Sequence, residues 1–506
     1  MNDKAIKSVL IVGGGTAGWM AAAAIRRAVG GRCSVTLVES DEIGIVGVGE
    51  ATVPTIRDFN VMVGLDEAEF MRETKASLKL GIEFVDWGRI GGRYLHPFGW
   101  YGTSAQGVSV FAQEYLRLAE LGRAGPLDDY SVCAQAARRG RVGRPSSDPR
   151  SPMAGFFYAY HFDAGLYALY LRRFCERIGV KREEGRIVDV LQRGEDGFVA
   201  GVKLADGRVL EAELFVDCSG FRGLLIEQAL QAGWEDWSRW LPVDRAVAVP
   251  CAKVEGITPY TRSTADAAGW RWRIPLQHRT GNGYVFCSAH LSEDAAAARL
   301  LETLDAEALA DPRVIRFQAG RRRKYWDKNV VTLGLSSGFV EPLESTSIHM
   351  VHAGINKLLQ HWPDRDFSPV NVATYNERVI REYEAVRDFV ILHYHASTRD
   401  DSEFWRYVRD MPVPDALAAR VAAFRDRGLL YSVVADEYFA PTSWLSVMWG
   451  QGIRPERRNP LYDRQDATRL ATAFEALREQ FARLVDGLPE HEAFLDKHRM
   501  AQALAA

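Results

Sequence analysis

The sequence has no apolar run near 18 residues, which excludes an ordinary membrane-spanning helix. It has no C-x-x-C pair. Its six cysteines (Cys33, Cys133, Cys175, Cys218, Cys251 and Cys287) are scattered, so zinc ribbons and dithiol redox motifs are excluded, no metal site is expected, and a reducing, cytoplasmic compartment fits. Charge of one sign is lacking too. A net charge of −3 gives neither nucleic acid nor an anionic membrane a reason to bind. No repeat of fixed period stands out. No signal peptide is expected, because "KSVLIVGGG" is a strand's length of apolar residues that runs straight into glycine.

What is present is a large potential core. Hydrophobic residues make up 47% of the 506, and charged residues 25%. A chain this long exceeds what one core supports, so two or three associated substructures are expected. Thirteen tryptophans are many, and read either as core or as the lining of an aromatic site.

"SVLIVGGGTAGWMAAAAIRRAV" reads as strand, turn and helix. Gly13 allows the tight turn, Gly15 lets backbone approach a pyrophosphate, and Gly18 lets helix and strand pack closely. The helix N-terminus then offers unpaired N–H groups to phosphate. "CSVTLVES" supplies a second strand ending at Glu39, an acid placed to accept from a ribose. A bound dinucleotide follows. Two later stretches favour FAD. Residues 185–220 form short alternating strands with D-G turns, returning to the apolar strand Leu214 to Val216. Residues 330–335 give another strand, then a glycine loop and a helix start that suits the electron-rich side of a reduced flavin. The expected fold is α/β: a Rossmann-type FAD-binding core of the flavin monooxygenase kind, with a β-meander, a β-rich segment and a helical C-terminal subdomain.

"GWRWRIP" (269–275) alternates Trp270, Trp272 and Ile274 on one strand face with Arg271 and Arg273 on the other, and Pro275 ends it. Alone, the pattern reads as core packing. With "GVGEATVP" (47–54), "SLKLGIEF" (77–84) and "GFVEPLESTSI" (338–348) it resembles the flavin-dependent tryptophan halogenase family, from the first strand to at least residue 350.

That resemblance implies a defined chemistry. Reduced FAD from a separate flavin reductase, diffusing as FADH2, reacts with O2 to give a C4a-hydroperoxide. A halide attacks it, and hypohalous acid travels to a separate aromatic substrate. W-x-W-x-I-P would keep that substrate from the flavin. Lys79 matches the catalytic lysine, although by pattern alone it reads as a surface residue. Glu344 matches the catalytic carboxylate; its other reading, shared with Glu341, is an acid in a helix's first turn. Thr346 and Ser347 match the halide pair, with Ser347 where the well-known tryptophan enzymes have glycine, so chloride versus bromide preference is open. Thr16, Ala17, Ala51, Ile187, Leu335 and Ile348 fall on the flavin side with the glycines. His96, Phe98, Trp270, Trp272 and Trp444 fall on the substrate side. The stretch 437–455 lacks the adjacent tyrosines that bind free tryptophan, so an indole derivative or another electron-rich aromatic fits better. A homodimer is left open. The alternatives are an FAD-dependent aromatic monooxygenase and a non-catalytic flavin-binding protein.

The expected domains are 1–350, the core, with a substrate-facing β-rich segment at about 240–330, and 351–506, mainly helical. Three local expectations complete the reading. Residues 158–179 form one helix, with His161 structural. "RRRK" (321–324) is a solvated edge. Asp466 to Val485 form a helix with one apolar stripe through Leu470, Phe474, Leu477, Phe481 and Leu484.

Overall fold

The computed structural model describes residues 4–42, 49–103, 107–433 and 437–503, with side chains to 497; Gly47 and Val48 of the second motif lie outside these. The chain forms two compact units, each built from three separate segments: Met1–Lys75, Phe162–Pro242 and Phe317–Glu384 in the first, and Ala76–His161, Val243–Arg316 and Ala385–Ala506 in the second. Residues 351–506 are therefore shared between both.

The first unit is built on a six-stranded sheet. Its order is Trp326–Asp327, Val330–Thr332, Leu214–Asp217, Ser8–Val12, Ser34–Glu39, Lys181–Glu184. All pairs are parallel except the one made by the edge strand Trp326–Asp327. The inner strands are apolar runs because such a sheet is covered on both faces. The antiparallel meander Ile187–Gln192, Val199–Leu204, Val209–Glu211 packs Val199, Val202 and Leu204 on Leu10, Val12, Phe215 and Val330 of the sheet. The expected Rossmann-type core and its meander are both present.

The second unit holds a seven-stranded sheet ordered Arg313–Arg316, Arg245–Ala252, Arg279–Phe286, Gly269–Pro275, Thr261–Asp266, Gly81–Val85, Arg93–Pro97. GWRWRIP is an inner strand of it, paired on both sides. Trp270, Trp272 and Ile274 are buried, while Arg271 and Arg273 are half-exposed and ion-paired to Asp266 and Asp305. Helix Ala467–Asp486 is capped by Asp466 and buries Phe474 and Phe481 of the expected stripe.

Four local expectations are corrected. Residues 158–179 are not one helix. Ala159–Asp163 is a strand, and a helix follows over Ala164–Arg177. Tyr158, Tyr160 and Phe162 alternate with period two, and Asp163 caps the helix through the N–H groups of Gly165 and Leu166. The strand at 330 ends at Thr332, and Leu335 sits in the turn Gly334–Ser336. Arg321 and Arg322 are buried rather than solvated; Arg321 pairs with Glu235 and Glu384, and Arg322 with Glu227. Glu341 and Glu344 precede their helix, which begins at Ser347.

Trp272 lies across Gly283 on the neighbouring strand. A Cβ at Gly283 would stand 2.0 Å from the indole. Gly283→Ala should displace the ring and cost about 2 kcal/mol. Thermal melting with tryptophan fluorescence checks this, and an unchanged midpoint and spectrum would contradict it.

Candidate active site

In the first unit the three glycines of the turn do different work. Gly13 has φ 110°, and a Cβ there would meet the Cys218 carbonyl at 2.3 Å. A Cβ on Gly18 would stand 1.8 Å from the Gly13 carbonyl. Gly15 faces open space, with nothing within 4 Å of such a Cβ. It precedes helix Thr16–Val29, and no side chain caps that terminus. Thr16 and Ala17 thus open a helix whose first N–H groups are available to an anion. A dinucleotide pyrophosphate fits this cradle. Gly14, which the motif does not single out, is required as well: a Cβ on it would stand 1.5 Å from Glu39 Oε2. Glu39 ends its strand and accepts from Arg182 Nε at 2.6 Å, so the acid is fixed in place by a partner the fingerprint does not contain.

The other residues expected on the flavin side spread over the same unit. Gly334, at φ 72°, would bring a Cβ to 2.7 Å from Ala17 Cβ; this sets Leu335 beside the start of the first helix. Ile187 opens the meander and packs on the sheet core. Ala51 ends strand Gly49–Ala51. Beyond it, Thr52, Val53 and Ile56 share a small cleft with Ile348, His349 and His352.

The segment Val340–Thr346 carries the predicted acid and the first residue of the predicted halide pair, and Ser347 opens the helix after it. Glu344 is 1% exposed, and Glu341, Ser345 and Thr346 are buried with it. Glu341 (φ 133°) and Ser345 (φ 58°) hold backbone conformations that L-residues rarely adopt. The chain turns sharply there and enters helix Ser347–Gln360 from Thr346, which makes no side-chain cap. Behind this terminus lies a buried polar chain. Thr55 Oγ1 meets His349 Nδ1 at 3.0 Å. His349 Nε2 is 3.2 Å from Glu382 Oε1, and Lys357 pairs with the other oxygen of Glu382. Burial alone would raise the Glu382 carboxyl, but His349 and Lys357 outweigh it and hold it at about 2.

In the second unit Lys79 ends strand Ser77–Lys79 and is 0% exposed. Its Nζ lies 5.3 Å from the centre of the Phe98 ring, within reach of a cation–π attraction. Phe98 is held by its own N–H, which donates to the Leu80 carbonyl at 2.7 Å. His96 and Trp444 both border Phe389, with ring centres at 5.6 and 5.1 Å. Phe389 stacks on Phe439 at 3.8 Å. The Trp270 and Trp272 rings are 6.2 Å apart, and the Trp272 indole N–H is buried with no hydrogen-bond partner among the described residues.

A family model described as tryptophan halogenase matches residues 8–467. The chain belongs to the tryptophan halogenase family. It is 37% identical to tryptophan 6-halogenase SttH from Streptomyces toxytricini, with 98% of this chain and 99% of that protein covered. Among solved structures, Xcc4156, a flavin-dependent halogenase from Xanthomonas campestris, superposes with a TM-score of 0.94 at 45% identity over 98% of each chain. BrvH, a flavin-dependent halogenase from Brevundimonas sp. BAL3, gives 0.94 at 46%, covering 98% of this chain and 100% of that one. Tryptophan halogenase family members are oxidoreductases that use reduced FAD, O2 and a halide, with a separate flavin reductase supplying the FADH2. Among the described residues no helix is long and apolar enough to cross a membrane.

Three buried histidines mark this halogenase fold as acid-sensitive. Burial lowers His352 and His491 to about 4. His161 falls well below its ordinary 6.5, through burial first and then the charge of Lys79. Each folded pKa lies below the unfolded one, so between the two it is the unfolded chain that takes up protons. Stability is therefore full above about pH 6.5 and falls as the solution is acidified toward 4. Glu382, depressed from 4.5 to about 2, adds a loss of the same sign further down. Melting temperature against pH checks this, and a flat profile from pH 8 to 4 would contradict it.

Proposed function

We propose that this protein halogenates an electron-rich aromatic, an indole or indole derivative, with Lys79 and Glu344 as its catalytic residues and Thr346 and Ser347 as its halide site. One observation carries the reading. Lys79 is wholly enclosed, with its amine beside an aromatic ring. An enclosed ammonium costs several kcal/mol, and a surface lysine would not be built this way.

Reduced flavin, when bound with O2 and halide, supplies the oxidised halogen as hypohalous acid. The chain's residues do the rest. The glycine cradle and the uncapped terminus at Thr16 hold the pyrophosphate. The N–H groups at Thr346 and Ser347 receive the halide, in a helix start with no competing side-chain cap. Trp270 and Trp272 are the bulky rings that the family resemblance sets against direct contact of the arene with flavin, and the buried Trp272 N–H is a spare donor beside them. Lys79 Nζ hydrogen-bonds the hypohalous acid or forms a haloamine and presents the halogen as an electrophile. The ring carbon takes the halogen and loses its proton. Glu344 stabilises the cationic ring and accepts that proton.

The substrate-side geometry favours an arene without an amino-acid end. In the stretch 437–455 the lone acid is Glu437, and both its oxygens are taken by Arg420 at 2.6 and 2.9 Å. It is not available to a substrate ammonium. Phe389, Phe439 and Trp444 leave aromatic surface where stacking governs.

Lys79→Ala should reduce halogenated product at least 100-fold in a reaction with reductase, FAD, bromide and indole, while FADH2 is still consumed. Mass spectrometry separates halogen gain from oxygen gain. Oxygenated product would establish the monooxygenase reading, and undiminished halogenation by Lys79→Ala would overturn the assignment. Ser347 should let the site use bromide at least as well as chloride. Competition at equal concentrations tests this, and exclusive chlorination would refute it.

A further inference from the structure

The strand that carries Lys79 is only three residues long. It is an edge strand, paired on one side with Ala159–Asp163. Three residues of edge strand hold a side chain poorly by themselves, because edge N–H groups are left without ladder partners. Two side chains complete it. His491, at the start of the C-terminal helix, accepts from the Leu78 N–H through Nε2 at 3.0 Å. Its Nδ1–H donates to the Ile257 carbonyl at 2.9 Å. That pair of bonds fixes one neutral tautomer, with the Nε2 lone pair turned to the strand. Ser77 donates to the Pro275 carbonyl at 2.6 Å, which ties the lysine strand to the end of GWRWRIP. The Ser77 oxygen also lies 3.4 Å from His161 Nδ1, whose Nε2 meets Thr261 Oγ1 at 2.9 Å.

The histidine is itself anchored. Its N–H donates to the Gly140 carbonyl at 2.9 Å, and Val142 N–H donates to Pro489 at 3.1 Å. The Leu78 side of the strand is thus held by a residue 413 positions away.

We propose that His491 is the positioning residue of Lys79, with Ser77 as its counterpart through the bond to Pro275 of the tryptophan strand. It sets the height of the Ser77–Lys79 backbone, so that the amine is delivered at one place over Phe98. The inference rests on the assignment of Lys79 as catalytic. It adds that the C-terminal segment is part of the reaction's geometry rather than a cover over it.

The test uses the full chain with reductase, FAD, bromide and indole. It reads brominated indole per FADH2 consumed, the indole KM, and hypobromous acid caught by a trap. His491→Leu should lower product per FADH2 roughly tenfold, as small misplacements of a reacting group do, with the indole KM within about twofold and the lost halogen recovered in the trap. His491→Gln can offer an oxygen to Leu78 and an N–H to Ile257, and should recover to within about threefold of the parent. Parental coupling in His491→Leu overturns the proposal, and so does a His491→Gln no better than His491→Leu. If His491→Leu does not fold, Ser77→Ala carries the same measurement: lower coupling at unchanged indole KM supports the proposal, and parental coupling overturns it. Lys79→Ala, run alongside, separates the two levels. Full product there removes the catalytic assignment itself. A dead Lys79→Ala beside a fully coupled His491→Leu removes only the role of His491.

Discussion

A lysine sealed from water is the constraint on which the rest of this structure turns. Desolvating an ammonium is unfavourable by several kcal/mol unless something nearby compensates. Phe98 contributes its ring face. The backbone around the lysine contributes rigidity: Leu78 is bonded to His491, Ser77 to Pro275 and Leu80 to Pro259, all outside the segment that carries the lysine. The same charge disfavours protonation of His161 on the neighbouring strand. A neutral histidine there can hydrogen-bond to Ser77 and Thr261 without placing a second cation beside the first. With the ring neutral, the cluster carries one cation rather than two.

In the first unit positive potential comes from backbone instead. Helix termini at Thr16 and Ser347 present N–H groups with no side-chain caps, the arrangement that suits an anion. Leaving such termini uncapped forgoes about 1 kcal/mol each. The first unit thus offers backbone dipoles, and the second an enclosed amine at Lys79.

Much of this is legible in the chain because it is local. A glycine needed for a tight turn must stand at its own position, so Gly13, Gly15 and Gly18 show themselves. Alternation in GWRWRIP reports strand and burial for the same reason. The W-x-W-x-I-P, lysine and E-S-T segments identify the family because each is a short contiguous piece of chemistry. What escaped was set by distant partners. Arg321 and Arg322 look like a solvated basic edge until Glu235, Glu384 and Glu227 are folded against them. Tyr158 to Phe162 carries a period of two that the strong helix after Asp163 obscures. Glu341 and Glu344 read as first-turn acids because nothing in the sequence reports the backbone reversal at Ser345. His491 has no motif at all: it is one histidine in a polar helix, and its meaning lies in a Leu78 N–H far away.

The interleaving of the two units explains why such distant partners matter. The lysine strand, the tryptophan strand and the C-terminal helix come from three separate segments of one unit. No one segment contains all three, so position is transmitted by hydrogen bonds between segments rather than by sequence neighbours. Neutral histidines are well suited to transmitting it, because one ring accepts at one nitrogen and donates at the other. A single side chain thereby ties two backbones together. The arrangement carries its own limit. Protonating either ring removes the acceptor it offers, and burial, which holds both rings neutral well below the ordinary histidine range, keeps those bonds until the solution is strongly acid.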